Sequence, residues 1–531
     1  MEKIFFVILF GSTFTFFFFL FSSPLLAVAD ADPSHPHNPW GYIDAVTKDY
    51  IRGWTRDPDD LGRAIYVQIQ IYRMKVVNQN TPNPVVNPSE KLLDETVLAN
   101  LEYGAPVGAH GFVLTTQVLN NIPDGLYEVR AIGKNIGLGE DAYLRTSPWR
   151  FYQTRMDNQR IEIWARYRGT AIDRPGNYES YPTVMKEGNT YKMWFAGGWA
   201  GDAIYYATSS DGYNWQVQND WQPVLTPDRT DPCDALDCLH IADPSVVKAS
   251  NNIYYMYYTG ANDCNVISCT PFAQERAVNY IFLAISQDGQ QWAKIRDETG
   301  RPKPIISPTQ IILKTYGAGQ SSVLFPLKEN KFLHFYSDTS APGPCLAQST
   351  DGGVTYQKIA CPLAWGHYTW DVKYSSFLGR YLGALAHPGD IIDSSSGQRV
   401  GTLRFATSSN GTSWLPGSEW GWVHLTGLVP DKKRCPNNGG FLGDPQGFFE
   451  GGKTVYYYGA GLGMNETATT WSIDAVDLAF FKTGDLNRDQ YANGNDIKFL
   501  LQSQIMPKTD LVKDGKLNSL DFVKLTNLLY D

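Results

Sequence analysis

The sequence predicts a mainly β protein with an N-terminal β-sandwich, a five-bladed β-propeller and a small α-helical module at the C-terminus. Three observations carry that prediction. The 531 residues are 14% aromatic and include 48 Gly and 31 Pro, a composition suited to short strands joined by tight turns. A strand-and-turn signature recurs in fixed order through the middle of the chain. A loop-and-helix pattern of different character then occurs twice after Gly484. The length allows several domains and at least one sizeable core. With 54 acidic against 45 basic side chains, the net charge of −9 disfavours nucleic acid, which needs a concentrated basic surface.

Residues 1–29 read as an export signal. Lys3 precedes an apolar run from Ile4 to Phe21, Pro24 breaks it, and Ala27-Val28-Ala29 supplies small residues for cleavage. The run is nearly long enough to span a bilayer, so an uncleaved anchor is the competing reading. The expected product is a secreted, extracellular chain starting near Asp30 and carrying no membrane segment. Residues 30–40, rich in Pro and His, read as a linker. Seven cysteines suit an oxidising compartment. Cys233/Cys238, Cys264/Cys269 and Cys345/Cys361 are spaced to staple loops, the pairing is open, and Cys435 is left over.

Residues 41–150 carry short strands with turn signals. From Ile65 to Tyr72 apolar and polar residues alternate, the period of a half-buried strand. A β-sandwich of roughly a hundred residues fits, with Trp54 expected in its core.

The repeat occupies residues 155–481. Four times a strand ends in a turn followed by an aromatic: Asp211-Gly212 with Trp215, Asp288-Gly289 with Trp292, Asp351-Gly352 with Tyr356, Asn410-Gly411 with Trp414. Asp-Gly and Asn-Gly suit tight turns because the backbone there reaches positive φ. Upstream of these lie strongly aromatic strands such as Met193-Trp194-Phe195 and Tyr254-Tyr255-Met256-Tyr257-Tyr258. Upstream again, short strands open on Tyr181, Asp243, Gln320, Asp371 and Asp444. Five such units make a five-bladed propeller the economical reading, with aromatics filling the spaces between blades. One motif match is discarded: Gly447 to Thr454 matches a P-loop but lies in a hairpin rather than between strand and helix. Ser349 to Tyr356 resembles a sialidase Asp-box; with five units rather than six and no assignable arginine triad, a sialidase stands as a minor alternative.

In the tail, residues 483–531, Asp485, Asn487, Asp489, Asn493 and Asp496 stand at positions 1, 3, 5, 9 and 12 of a loop, with the Tyr491 carbonyl at position 7. This is the donor pattern of an EF-hand calcium loop, closed here by Asp. Asp510, 25 residues after Asp485, opens a second copy with Asp514, Asn518 and Asp521. Val512 cannot ligate, so a weaker second Ca2+ site is expected. The duplicated unit resembles a dockerin module of type I. That resemblance implies a calcium-dependent plug for a cohesin-bearing scaffold protein, as in a cellulosome. The residues that usually set cohesin choice, Gly494-Asn495 and Ser519-Leu520, depart from the common Ser/Thr pairs.

The middle segment resembles the five-bladed glycosidases of families 43, 32 and 62. That likeness implies that the residue opening each innermost strand faces a central funnel. Hydrolysis of a glycosidic bond needs one protonated carboxyl and one ionised carboxylate, and a ring of carboxylates splits their pKa values by repulsion. The candidates for this work are Asp243, Asp444, Asp371 and Glu179, with Gln320, His240, Tyr181 and Trp370 as sugar contacts. Tyr181 and Gln320 stand where that family usually has an Asp base and a Glu acid. The expected function is therefore a polysaccharide-degrading glycoside hydrolase. The alternative is a non-catalytic propeller used for carbohydrate binding or adhesion.

Overall fold

A computed structural model describes residues 34–482 except 78–84, 104–106, 121, 157–160, 199–201, 230–234, 263–277, 312–315, 342–343, 362–370, 393–398, 416–420, 431–432, 434, 450 and 462–470. Residues 1–29, Trp370, Cys233, Cys264, Cys269 and the whole 483–531 segment with its ten proposed calcium ligands lie outside the described residues. Among the described residues the structure is nearly all β, and its one helix is a single 3-10 turn, Asn219–Trp221. No helix among the described residues is long and apolar enough to cross a membrane.

The chain divides into two compact units, the smaller drawn from Met1–Ile69, Glu95–Gln117 and Arg130–Ser147. Its three-stranded antiparallel sheet runs Trp40–Val46, Tyr50–Arg56, Gly111–Thr115. Trp54 is 7% exposed and packs edge-on to Trp40 at 5.0 Å, a core residue as expected. The larger unit takes Gln70–Asp94, Val118–Val129 and Pro148–Asp531. The expected 41–150 module is thus not one contiguous unit: strands Tyr66–Val77 and Gly125–Gly133 run through the division.

Within the larger unit five four-stranded antiparallel blades follow one another, blades I and V being joined in one continuous sheet. Blade I comprises Glu179–Glu187, Thr190–Gly197, Ala203–Ser209 and Gln216–Val217. Blade II comprises His240–Lys248, Tyr254–Asn262, Val278–Ser286 and Ala293–Lys294. Blade III comprises Ala318–Leu324, Phe332–Asp338, Cys345–Ser349 and Gln357–Ala360. Blade IV comprises Asp371–Ser375, Arg380–Ile392, Arg399–Ser408 and Gly421–His424. Blade V comprises Cys435–Gly443, Lys453–Gly461 and Ser472–Lys482, and takes its outer strand, Ile161–Ile172, from the start of the repeat. The innermost strand of blade V pairs in parallel with that of blade I, Val184 with Leu442, which closes a propeller-like ring.

The recurring motifs are structural devices. In blade I the Ser209 hydroxyl accepts the N–H groups of Asp211 and Gly212, and Asp211 Oδ1 accepts those of Tyr213 and Asn214. Ser286/Asp288 and Ser408/Asn410 repeat that arrangement. The aromatic strands bind each blade to the next. Trp194 Nε1 donates to the Gly289 carbonyl of blade II, Tyr257 OH to Gly353 of blade III, and Tyr457 OH to Gly212 of blade I. Buried phenols and indoles need such acceptors, and turn glycines leave room for them to reach the backbone. Cys345 and Cys361 form a disulfide within blade III, Cys238 is disulfide-bonded, and Cys435 is buried in the innermost strand of blade V.

Candidate functional site

The innermost strands of blades I, II and III each carry a β-bulge at the same place, between Ser180 and Thr183, Ala242 and Ser245, Gly319 and Ser322. The leading residue of each bulge is left-handed: Tyr181 at φ 54°, Asp243 at 50° and Gln320 at 53°. For a residue with a Cβ this conformation costs on the order of 1 kcal/mol. A bulge breaks the alternation of the strand and re-aims a side chain. Blade V has a related irregularity at Asn438. Tyr181, Asp243, Gln320 and Asn438 line one small cavity of about 30 Å3, together with Ser321, Asp371 and Tyr456. The funnel expected from the sequence therefore gathers Tyr181, Asp243, Gln320 and Asp371.

Two residues after each bulge stands a second ring. The Thr183 hydroxyl accepts the N–H of Val246 at 3.4 Å, Ser245 that of Val323 at 2.9 Å, and Ser322 that of Val372 at 2.8 Å. Asp371 continues the series, accepting the N–H of Phe441 at 2.7 Å. Each acceptor ties its blade to the innermost strand of the next. The fifth position is Gly440, where a Cβ would lie 2.5 Å from the Pro182 carbonyl. Asp371 also receives Ser322 Oγ and Lys373 Nζ at 2.8 and 2.9 Å, so its carboxylate is occupied by bracing bonds. It belongs to the bracing ring, not to the bulge ring where the sequence reading put it.

Asp444 is displaced further from its expected place. It follows the innermost strand of blade V instead of opening it. Its Oδ1 accepts the N–H groups of Gln446 and Phe448, which makes it the cap of the Asp444-Pro445-Gln446-Gly447 turn. The sequence reading misaligned blade V because Asp-Pro opens the bulge in blade II and a turn in blade V. Glu179 is fully buried against Arg174 at 3.2 Å, with Oε2 unpartnered and its carboxyl pushed up to about 7 by burial. It does not line the cavity. His240 is half-buried beside Asn279 at 3.2 Å and held below its usual pKa by desolvation. It too lies off the cavity wall.

Asp243 has the strongest chemical signature. It is 8% exposed, its Oδ2 accepts the Tyr316 hydroxyl at 2.9 Å, and among the described residues its buried Oδ1 has no hydrogen-bond partner. Burial raises its pKa, and the Tyr316 bond opposes that rise. Asp202, just before the third strand of blade I, is pushed up to about 7 by burial and then by the charge of Asp243. Tyr178 and Tyr181 feel Asp202 as well. The sequence reading missed Asp202 because it searched the openings of innermost strands, and no motif marks a single Asp before an outer one. Asp243, buried, and Asp202, half-buried, are thus a coupled pair of carboxyls at the second and first blades.

No family model matches the chain. Two uncharacterised proteins of Mycobacterium tuberculosis, from strains CDC 1551 / Oshkosh and ATCC 25618 / H37Rv, are each 27% identical over 149 residues, 26% of this chain. The chain spans 42% of the length of these relatives. Among solved structures, one described as an RGII complex is 16% identical with a TM-score of 0.42, covering 60% of this chain and 92% of its own. An α-L-arabinofuranosidase of Podospora anserina in complex with cellotriose is 12% identical at a TM-score of 0.41, covering 59% and 97%. A family 117 glycoside hydrolase of Zobellia galactanivorans is 14% identical at 0.39, covering 62% and 90%. Scores of this size carry no weight for function, and the ring of blades rests on the strand pairings above.

Proposed function

We propose that the chain is a secreted glycoside hydrolase acting on polysaccharide, with Asp243 and Asp202 dividing the acid–base work. The observation that carries the reading is the coupled pair itself. Two carboxyls, one buried and one half-buried, repel one another, one sits on a strained bulge, and an oxygen of that one has no partner among the described residues in a cavity wall. Repulsion favours one proton shared unequally between them. Tyr316 donates to Asp243, which favours its ionised form. The Asp202 carboxyl has no hydrogen-bond partner among the described residues and keeps the proton near neutrality. Asp202 would protonate the leaving glycosidic oxygen while Asp243 activates water or attacks the sugar.

The tail reading belongs to the same proposal. Asp485, Asn487, Asp489, the Tyr491 carbonyl, Asn493 and Asp496 form an all-oxygen donor set of the kind calcium takes. The second set, Asp510, Asp514, Asn518 and Asp521, lacks one donor at Val512. Folded on Ca2+, residues 483–531 would dock on a cohesin-bearing scaffold.

A second reading, sugar binding without cleavage, is favoured by Gln320. Its amide cannot serve as a carboxylic acid, and Ser337 Oγ fixes its Oε1 at 2.8 Å. Reducing-sugar release from arabinan, xylan, fructan and mannan separates the two. Turnover is expected, with Asp243→Asn and Asp202→Asn each lowering it by roughly 10²–10⁴. Turnover that survives both substitutions would sink the assignment; binding with no turnover on any polymer would leave the second reading.

A further inference from the structure

The larger unit holds a second cleft that shares no lining residue with the cavity of the bulge ring. It is an open cleft of about 520 Å3, lined by Val86, Pro148, Trp149, Arg150, Arg166 and Tyr167 and by the Gly427–Pro430 loop. Volumes of that order accommodate small ligands. Arg166 lies on this wall in strand Ile161–Ile172, with its guanidinium 3.3 Å from the centre of the Trp149 ring. The stacking holds a rotamer-rich side chain flat. Among the described residues the Arg166 guanidinium has no hydrogen-bond or ion-pair partner. The neighbouring charges are already engaged: Asp477 pairs with Arg168 at 2.8 Å and Arg150 with Glu128 at 2.7 Å. Leu428 and Val429 are buried at the edge of the cleft, and Pro148 and Pro430 add rigid apolar surface.

An oriented, unpaired guanidinium in a cleft matches a planar carboxylate, which it binds through two parallel N–H bonds. Apolar walls match the C–H face of a sugar ring. We propose that this cleft is a binding site for a uronate-bearing oligosaccharide, with Arg166 taking the carboxylate. The choice of a sugar over another carboxylate rests on the reading of the bulge ring; the carboxylate preference rests on the cleft alone.

The test is calorimetric titration of the full chain with tri-galacturonate, its methyl ester, and acetate. Tri-galacturonate is expected to bind, and both methyl esterification and Arg166→Gln should weaken it about tenfold or more. Arg166→Lys keeps the charge without the fork and should fall between. Asp243→Asn should leave the affinity unchanged, which separates this cleft from the funnel. Added salt should weaken binding. Equal affinity for acid and ester, or for wild type and Arg166→Gln with matching near-UV circular dichroism, overturns the proposal. Acetate binding as tightly as the trisaccharide keeps a carboxylate site and rejects the sugar. Binding lost in Asp243→Asn but kept in Arg166→Gln places the ligand in the funnel and also overturns it.

Discussion

Asp202 and Asp243 differ in what surrounds them, and that difference makes a prediction about pH. The Asp202 carboxyl is pushed up to about 7 from 3.8. Between those values the folded chain holds a proton that the unfolded chain has released, so stability falls as pH rises through the window. It is fully present below about pH 4 and lost above about pH 7. Asp202→Asn removes the titrating group. The D202N variant should therefore gain thermal stability over wild type on going from pH 4.5 to 8, by on the order of 5 °C, while losing turnover. A melting-temperature difference that stays constant across that range would show that Asp202 does not carry the shift. In the wild type, turnover should decline as pH rises past 7, when Asp202 no longer holds the proton it donates. Tyr316→Phe removes the hydroxyl that Asp243 accepts, which should raise the Asp243 pKa and move the acid limb of the profile upward.

At the scale of elements, the bulge ring and the bracing ring perform separate tasks on the innermost strands, the first in blades I, II, III and V and the second in blades I to IV. The bulge ring aims side chains into the cavity; the bracing ring hydrogen-bonds each blade to the next. Ser245→Ala leaves the buried Val323 N–H without its acceptor and should cost about 1–3 kcal/mol in urea unfolding. Asp371→Asn strips Lys373, itself 5% exposed, of its carboxylate and should cost about 3 kcal/mol while turnover per folded molecule persists. Asp243→Asn should do the reverse, removing turnover with little loss of stability. An Asp371→Asn variant that folds with wild-type stability but is inactive would return Asp371 to the catalytic set. Much of this scale was legible in sequence. The Asp-Gly turns and the aromatic strands appeared as a repeat because local turn chemistry and packing recur at each blade. Tyr181, Asp243 and Gln320 were placed on the funnel because short polar openings recur before those strands. Asp444 was misplaced because the same Asp-Pro dipeptide caps a turn or opens a bulge, depending on register, and Asp202 was missed because no motif marks a single Asp before an outer strand.

At the scale of the molecule, closure of the ring joins Ile161–Ile172 to Ser472–Lys482, segments about 300 residues apart. The Cys345–Cys361 disulfide restrains one blade locally, over a separation of 16 residues. Replacing both cysteines by serine should lower stability by about 3 kcal/mol, read from the urea midpoint under non-reducing conditions. A chelator added to the full chain should make residues 483–531 sensitive to protease and abolish cohesin binding while sugar turnover continues. A tail that resists protease equally with and without Ca2+ would remove calcium from its folding.

By itself the sequence determined the class of the molecule. Period-two alternation, turn dipeptides and recurring aromatics depend on neighbours a few residues away, so five β units and their order could be read directly. The same local spacing carries the proposed oxygen donors of the tail. Tertiary structure decided which carboxylates matter. The register of a bulge, the strand that closes blade V and the partner of each Asp depend on contacts between residues far apart in the chain. Those contacts assigned Asp371 to bracing, Asp444 to a turn and Asp202 to the side of Asp243, because a carboxylate's chemistry is set by what surrounds it in space.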